Sequence, residues 1–600
     1  MSVRSQLSRR QFGTLAALGA GATLLAACAP AAPPTAAPAP AKPTEAPKPA
    51  EAPKPAAEPT KPAAAAEPTK PAAAPAATTA PAATSAPAAA ASPPAAAQAT
   101  KPAGEVKRGG TLIHSTFTTY TTMDPHLNAS FLNPGYDALY NGLVRFELVN
   151  RQSGEHKVVG DLAESWEQPD PTTLVFKLRQ GVLFHDGSPF DASVAAWNIL
   201  RARDNPKSTR RTQLQVIDTA EAADKNTLRI KLKNPSPGFV PTLAWANGIQ
   251  VQMASKAAFD KLGDDGFARA PVGTGPFKFK QWIADDRLIL EKNPDYFEKG
   301  VDGKPLPYLD GFVSRFQPDP TVGLQDLRTG GVHLLESVAP KDVAAIKADA
   351  SLAIDELPWY AQCYFQLWFN ATAPPFNDVK LRQAVLYGID RVGMAKAMGF
   401  GLGVPFYYPF FAPASMGYDE SIVKYEYNPA KVKELLGQAG HPNGIDVELR
   451  VIDREPENTI AQFAQQMFEA NGIRAKLMRA ERTVHIGIIN EGKFQFSFAR
   501  DGFETLVDGD VLQRRVKTGA AGQNGKFSDA DIDRVVTEAG ATTDAAKRKE
   551  LYKQVLTLLQ ERAYVGTGYY IPTLNGYRKE VQGLGYNFQV PRAMTMWLNK

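Results

Sequence analysis

The sequence predicts an α/β (α+β) fold built from more than one lobe, and three observations predict it. Short stretches with two-residue alternation are interleaved with stretches of helical periodicity, and no internal repeat unites them. Roughly 500 residues follow a low-complexity N-terminal region, too many for a single hydrophobic core, so two or three lobes are expected.

The chain begins with Arg4, Arg9 and Arg10, followed by an apolar run over 15–27. That run is short of the about 20 residues a membrane span needs, and suits the hydrophobic part of an export signal. Ser8-Arg9-Arg10-Gln11-Phe12 resembles a twin-arginine export motif. Leu25-Ala26-Ala27-Cys28 resembles a bacterial lipobox, whose cysteine is lipidated and becomes the mature N-terminus. Residues 1–28 therefore read as a lipoprotein signal peptide, with the body of the protein outside the cytoplasm. Residues 29–107 are dominated by Ala and Pro, with echoes such as Glu58-Pro59-Thr60-Lys61-Pro62 and Glu67-Pro68-Thr69-Lys70-Pro71. Proline removes backbone donors and there are no aromatics to build a core, so a disordered, partly polyproline-II tether is expected.

The first strand is expected at 111–113, after Gly109-Gly110. Alternation predicts a second strand over 174–179, followed by turns at Gly181 and at Asp186-Gly187. Asp191 has the position of an N-cap for a helix running through 194–200. Residues 227–232 alternate again, and Gly273-Thr274-Gly275-Pro276 turns the chain into a strand at 278–280. Helical periodicity covers 379–389 and 430–439, the latter closed by Gly440.

Little in the chain points to chemistry. The net charge of +5 is spread over interspersed acids and bases, which argues against a nucleic-acid partner. With Cys28 committed to lipid, Cys363 alone remains; an intramolecular disulfide is excluded and a buried small hydrophobe is expected. Seven histidines (114, 126, 156, 185, 333, 441 and 485) lack metal-ligand spacing, and no Gly-x-Ser-x-Gly elbow occurs. Residues 519–526 mimic a phosphate loop, but the glycine spacing is one too long and Phe527 stands where a hydroxyl is needed. His185-Asp186-Gly187 reads as a hairpin corner, with His185 capping the core. No enzyme, cofactor or metal is expected.

A resemblance rests on longer blocks. Asp161-Leu162-Ala163-Glu164-Ser165-Trp166 is followed by Phe176-Lys177-Leu178-Arg179-Gln180-Gly181-Val182 and by Phe184-His185-Asp186-Gly187-Ser188-Pro189-Phe190-Asp191-Ala192. Then come Val272-Gly273-Thr274-Gly275-Pro276-Phe277, Glu291-Lys292-Asn293-Pro294-Asp295-Tyr296-Phe297, the run from Arg382-Gln383-Ala384-Val385 to Ile389-Asp390-Arg391, and Tyr427-Asn428-Pro429-Ala430. In this order they resemble the bacterial family 5 extracellular solute-binding proteins, the peptide-, dipeptide- and nickel-binding components of ABC importers. The resemblance implies a two-lobed Venus-flytrap (periplasmic-binding-protein) fold with an extra subdomain on the first lobe. Lobe one is expected over 108–335, lobe two over 336–569 and a return to lobe one over 570–600, with crossings near Leu335 and Tyr569. Most signature residues are expected to be structural. Trp166, Phe176 and Phe190 would fill the core, Gly187 and Gly275 would make turns, and Arg179 would pair with a carboxylate.

Ligand contacts are expected between the lobes. In peptide-binding relatives an aspartate within Trp-x-x-Asp pairs with the ligand's α-ammonium, and the matching segment here is Phe498-Ala499-Arg500-Asp501. Phe498 replaces the tryptophan, and Gly502-Phe503-Glu504-Thr505 lacks the Asp-Pro that often follows. Asp501 is thus the expected ligand carboxylate with Phe503 beside it; a structural pair between Asp501 and Arg500 is the alternative. Strand alternation puts Tyr360, Tyr364 and Trp368 on one face, either lining the cleft or packing beneath it. Tyr407, in an aromatic rim loop over 406–411, and Trp245 complete the candidates. The expected partners are a peptide or other small solute, the permease and ATPase subunits, and the membrane through lipid at Cys28; a monomer is expected. An oligosaccharide or metal-chelate binder on the same fold is the alternative within this class. An extracytoplasmic hydrolase or sensor subunit is the alternative outside it.

Overall fold

The computed structural model describes residues 105–128, 134–151, 155–244, 251–411, 415–502, 511–520, 522–587 and 590–600, with backbone alone at 358–364, 501, 502 and 587. The expected signal, Cys28, almost all of the expected tether, Trp245 and Phe503 lie outside the described residues. Among the described residues no helix is long and apolar enough to cross a membrane.

A mixed twelve-stranded sheet runs through the protein. At its centre the long strand Leu352–Phe369 pairs antiparallel with Tyr569–Arg578. On one side of this pair lies a parallel trio, Gly311–Phe316, Thr111–Thr116 and Leu334–Leu335, extended by the antiparallel strands Arg287–Lys292 and Phe277–Ile283. On the other side lies a second parallel trio, Ile473–Ala480, Ile445–Ile452 and Phe496–Gly502. The first half of Leu352–Phe369 pairs with the end of Tyr569–Arg578, and its second half pairs with Phe496–Gly502. The two long strands therefore belong to both halves of the molecule.

Their pairing is broken between the halves. Leu357 opposes Thr573, but the next paired residue, Ala361, opposes Pro572, so four steps on one strand match one on the other. A second irregularity falls between Cys363 and Gln366, which advance three residues against two from Asp501 to Ala499. Leu334–Leu335 lies within the first half, hydrogen-bonded between Thr111–Thr116 and the end of the second long strand. The change of partners comes later, between Leu357 and Ala361.

A separate four-stranded antiparallel sheet (Ala163–Asp170, Thr173–Leu178, Thr227–Leu232 and Ile217–Asp224) forms the extra subdomain with the helix Ala192–Asp204. Local sequence explains it. Leu174, Phe176 and Leu178 alternate with more exposed residues and are buried, as are Leu228, Ile230 and Leu232. Asp191 caps the helix, accepting from the backbone N–H groups of Ser193 and Val194, both at 3.0 Å. Gly187 turns the chain with φ 82°. Trp166 is half-buried against this core, while Phe176 and Phe190 lie inside it. The helices Val379–Tyr387 and Pro429–Gln438 end within two residues of the positions that periodicity predicts, and Gly440 follows the second with φ 85°.

Phe176 has no exposed surface, so Phe176→Ala removes a ring the subdomain has no other means to replace. The expected loss is about 3–5 kcal/mol, read by urea denaturation followed with tryptophan fluorescence. A loss under about 1 kcal/mol would contradict this packing.

Candidate functional site

The strand directions point to a candidate site at the crossing. In the first half, Leu334 pairs with Tyr577 and Leu335 with Gly576, so the strand runs toward Pro572, where the long pair breaks. In the second half, Phe496 pairs with Phe369 and Gly502 with Gln362, so this strand runs toward the same break from the other side. The carboxyl ends of both parallel trios are therefore aimed at the crossing. Outside the carboxyl ends of parallel strands is where open α/β sheets bind ligands.

The first-half end carries an unusual polar group of side chains. His114 sits beside Ser314 on one side and Leu334 on the other. Continuing the two-residue alternation puts Thr116 and Glu336 on the same face, one row nearer the strand ends. His114 is fully buried against Phe312, with ring centroids 6.1 Å apart, and neither ring nitrogen has a hydrogen-bond partner. Its Nε2 is 3.8 Å from Glu336 Oε2, which also lacks a hydrogen-bond partner. Burial holds His114 neutral, far below the usual imidazole range. Burial also lifts the Glu336 carboxyl to about 7, against the weaker opposing pull of a hydrogen bond with Thr116. An unpaired buried polar group costs about 1–3 kcal/mol, so this cluster is costly to the fold as it stands.

The second-half end holds a different arrangement. Asp501 is the penultimate residue of its strand and pairs through its backbone with Cys363. Its neighbour Arg500 is held by Glu457, with Nε 3.2 Å from Oε1, and Arg454 reaches the same buried carboxylate at 2.5 Å. The side chain of Asp501 lies outside the described residues.

The comparisons with known proteins agree with this architecture. The profile of the bacterial extracellular solute-binding proteins, family 5 (middle region), matches residues 157–523, more than half of the sequence. The chain belongs to this family. A glutathione-binding protein, GsiB, of Pectobacterium atrosepticum is 29% identical over 450 residues, spanning 73% of this chain and 84% of that protein. The dipeptide-binding protein of Escherichia coli K12 is 27% identical over 509 residues, spanning 79% and 91%. The periplasmic binding protein DppA of Helicobacter pylori, solved with the peptide STSA, superposes with a TM-score of 0.69 at 24% identity, covering 82% of this chain and 99% of that one. The protein thus has the family's two-lobed periplasmic-binding-protein fold.

The family signature is structural here, and the contacts say why. Asp161 accepts from Asn141 Nδ2 at 2.9 Å and from the Gly142 N–H at 3.0 Å. Asn141 is reached in turn by Thr274 and Tyr296, and Arg145 bridges Asp161 and Glu298. Burial lifts the Asp161 carboxyl to about 6 despite Arg145. Gly273 and Gly275 pass so close to this segment that a Cβ at either would lie 2.1 or 2.4 Å from the carbonyl oxygens of Leu139 and Ala138. His185 joins the same corner: Nε2 lies 2.9 Å from the Gly275 carbonyl oxygen, Nδ1 accepts from the Gly273 N–H, and burial lowers its pKa to about 4. Arg382 and Arg391 clamp backbone carbonyls, those of Phe376 and Tyr425 each at 2.6 Å.

Several expectations need correction. Arg179 donates to the backbone carbonyl of Asp161 at 2.6 Å and lies over the Phe297 ring; Arg145 makes the carboxylate pair instead. Trp368 has no exposed surface; its Nε1 donates to Gln366 and its ring packs on Phe410. The side chains of Tyr360 and Tyr364 lie outside the described residues. The supposed rim loop is core, since Phe406, Tyr408, Phe410 and Phe411 are all buried. Tyr407 is half-buried, with the Arg391 guanidinium 5.2 Å from its ring centroid. Sequence reasoning missed Glu336 and the His114 face. The available signal was a histidine inside the strand-like run Leu112-Ile113-His114-Ser115-Thr116 and an acid directly after Leu334-Leu335.

The raised carboxyl of Glu336 carries a sign. Its protonated form is favoured in the fold, so its contribution to stability is full below the ordinary value of 4.5 and is lost as pH rises through about 7. Glu336→Gln is expected to flatten the decline in melting temperature between pH 5 and pH 8. An unchanged profile would contradict the burial of this carboxyl.

Proposed function

We propose that this protein is the lipid-anchored receptor of an ABC importer, which encloses a peptide-like solute between its lobes and delivers it to a permease. The observation that carries the reading is the convergence of both sets of strand carboxyl ends on the broken pairing of the two long strands. We read the crossings at residues 357–361 and at Pro572, later than a boundary at Leu335 and close to Tyr569. A few irregular residues at such a crossing absorb the backbone rotation of hinge closure, and the solute stabilises the closed form through contacts it makes there alone. The names of the relatives, a glutathione-binding and a dipeptide-binding protein, favour a peptide-like solute.

Asp501, at the carboxyl end of its strand, is the proposed partner of the solute's α-ammonium. Closure strips water from that cation, and a carboxylate then offsets the cost. Phe503, Tyr360, Tyr364 and Trp245 remain proposed apolar contacts. Tyr407, already stacked by Arg391, is proposed only as a flanking surface. Lipid on Cys28 and the Pro/Ala tether hold the receptor near its permease and raise their effective concentration. One acyl chain binds membranes only marginally, so the reading requires more than one. ATP hydrolysis belongs to the partner subunits.

Isothermal titration calorimetry over a panel of dipeptides tests this. The best-bound dipeptide is expected to lose at least about tenfold in affinity in Asp501→Asn, the scale of one charge-assisted contact. Unchanged affinity would remove Asp501 from the site, and failure of every dipeptide to bind would overturn the peptide reading.

A further inference from the structure

The parallel strands of the first lobe end in acceptor capacity that the protein itself leaves unused. Glu336 follows Leu334–Leu335 directly, and its N–H donates to the Ser115 carbonyl at 3.1 Å, which continues the parallel pairing and fixes its place at the strand ends. Only 11% of its side-chain surface is exposed. Among the described residues, the side chains that reach its carboxyl are His114 and Thr116. His114 is neutral and Thr116 is a hydroxyl, so neither is a counter-charge. Ser314, beside His114 in the neighbouring strand, is also buried with no partner for its hydroxyl. A buried carboxyl is usually paired or hydrogen-bonded on both oxygens. Here Oε2, itself buried beside His114, has neither, and the residue lies at the strand ends that run toward the crossing.

We propose that Glu336 receives a second cationic nitrogen of the solute, an ammonium or guanidinium distinct from the one assigned to Asp501. His114, Thr116 and Ser314 form the polar floor beneath that contact. The inference rests on the solute being held at the crossing, and it narrows the solute class to compounds with two separated cationic groups, such as a peptide with a basic side chain. The geometry suits such a group. The Glu336 side chain, one row nearer the strand ends than His114, is the partly exposed member of this group, with Oε2 itself buried toward His114. Neutral His114 behind it supplies a ring N–H or an acceptor nitrogen without repelling the cation, and the buried surroundings strengthen the attraction because water no longer screens it. The cation then favours the ionised carboxylate and lowers its raised pKa, and a solute whose second group is apolar leaves the carboxyl as unpaired as before.

Calorimetry on the full protein at pH 8 with two matched pairs of probes tests this: Ala-Lys against Ala-norleucine, and putrescine against butylamine. Wild type is expected to favour the doubly cationic member of each pair by about tenfold or more. Glu336→Gln should abolish the preference by weakening the doubly cationic member of each pair, and Glu336→Asp, which keeps the charge, should retain part of the preference. Binding of putrescine that depends on Glu336, with no dipeptide bound, would end the peptide reading and keep this inference. Equal binding within each pair by wild type, a preference that survives in Glu336→Gln, or failure of both doubly cationic probes to bind would overturn it.

Discussion

The antiparallel pairing of Leu352–Phe369 with Tyr569–Arg578 ties the two halves of this protein together, and its interruption at residues 357–361 sets how they relate. Were the ladder continuous, the two trios of parallel strands would belong to one stiff sheet. Because pairing is lost where the strands pass from one half to the other, each half keeps its own hydrogen-bonded frame, and a small number of backbone angles separates them. The same strands fix direction. Their antiparallel partners must run toward the break from both sides, so the carboxyl ends of both trios, and with them Glu336 and Asp501, are directed there. The proposed hinge and the proposed binding site thus follow from one arrangement of strands.

A moving hinge demands rigid bodies on either side, and the family signature supplies one of them. Asp161, Asn141, Thr274, Tyr296, Arg145 and Glu298 form a buried polar knot that joins the extra subdomain to the first lobe's sheet. Each carboxylate has a cationic or amide donor, whereas Glu336 has only the Thr116 hydroxyl and an unpartnered Oε2. That contrast separates a group serving the fold from one left ready for a ligand: the former is satisfied internally and the latter at the protein's expense. In the second lobe, Arg382 and Arg391 perform a similar task by gathering backbone carbonyls from segments distant in sequence.

What was legible in the sequence was what short-range physics decides. The strand Thr227–Leu232, the Asp191 cap, the Gly187 turn and the two helices of the second lobe are set by alternation, capping and backbone freedom, all readable within a dozen residues. Partners across long sequence distances were not legible. Arg179 finds a carbonyl instead of a carboxylate, because Arg145 already occupies Asp161. Trp368 lies in the core because the helices Ala530–Ala541 and Ala545–Arg562, far along the chain, bring their apolar faces over it. Glu336 carries no motif, and its meaning depends on a neighbour more than two hundred positions earlier. The candidate site was therefore half visible: Asp501 by its position in a matching segment, Glu336 only from the register of three strands.

Closure at the crossing is open to direct measurement by pulsed electron resonance between two spin labels. Asp260→Cys, in the helix Lys256–Phe267 that packs through Phe259 on Trp197 of the extra subdomain, and Lys433→Cys, on the second lobe, carry the labels at exposed positions, in a background of Cys28→Ser and Cys363→Ser. With a saturating dipeptide, the distance distribution between the labels is expected to move to shorter values and become narrower. A distribution that is identical with and without bound dipeptide would contradict capture by closure of the two lobes.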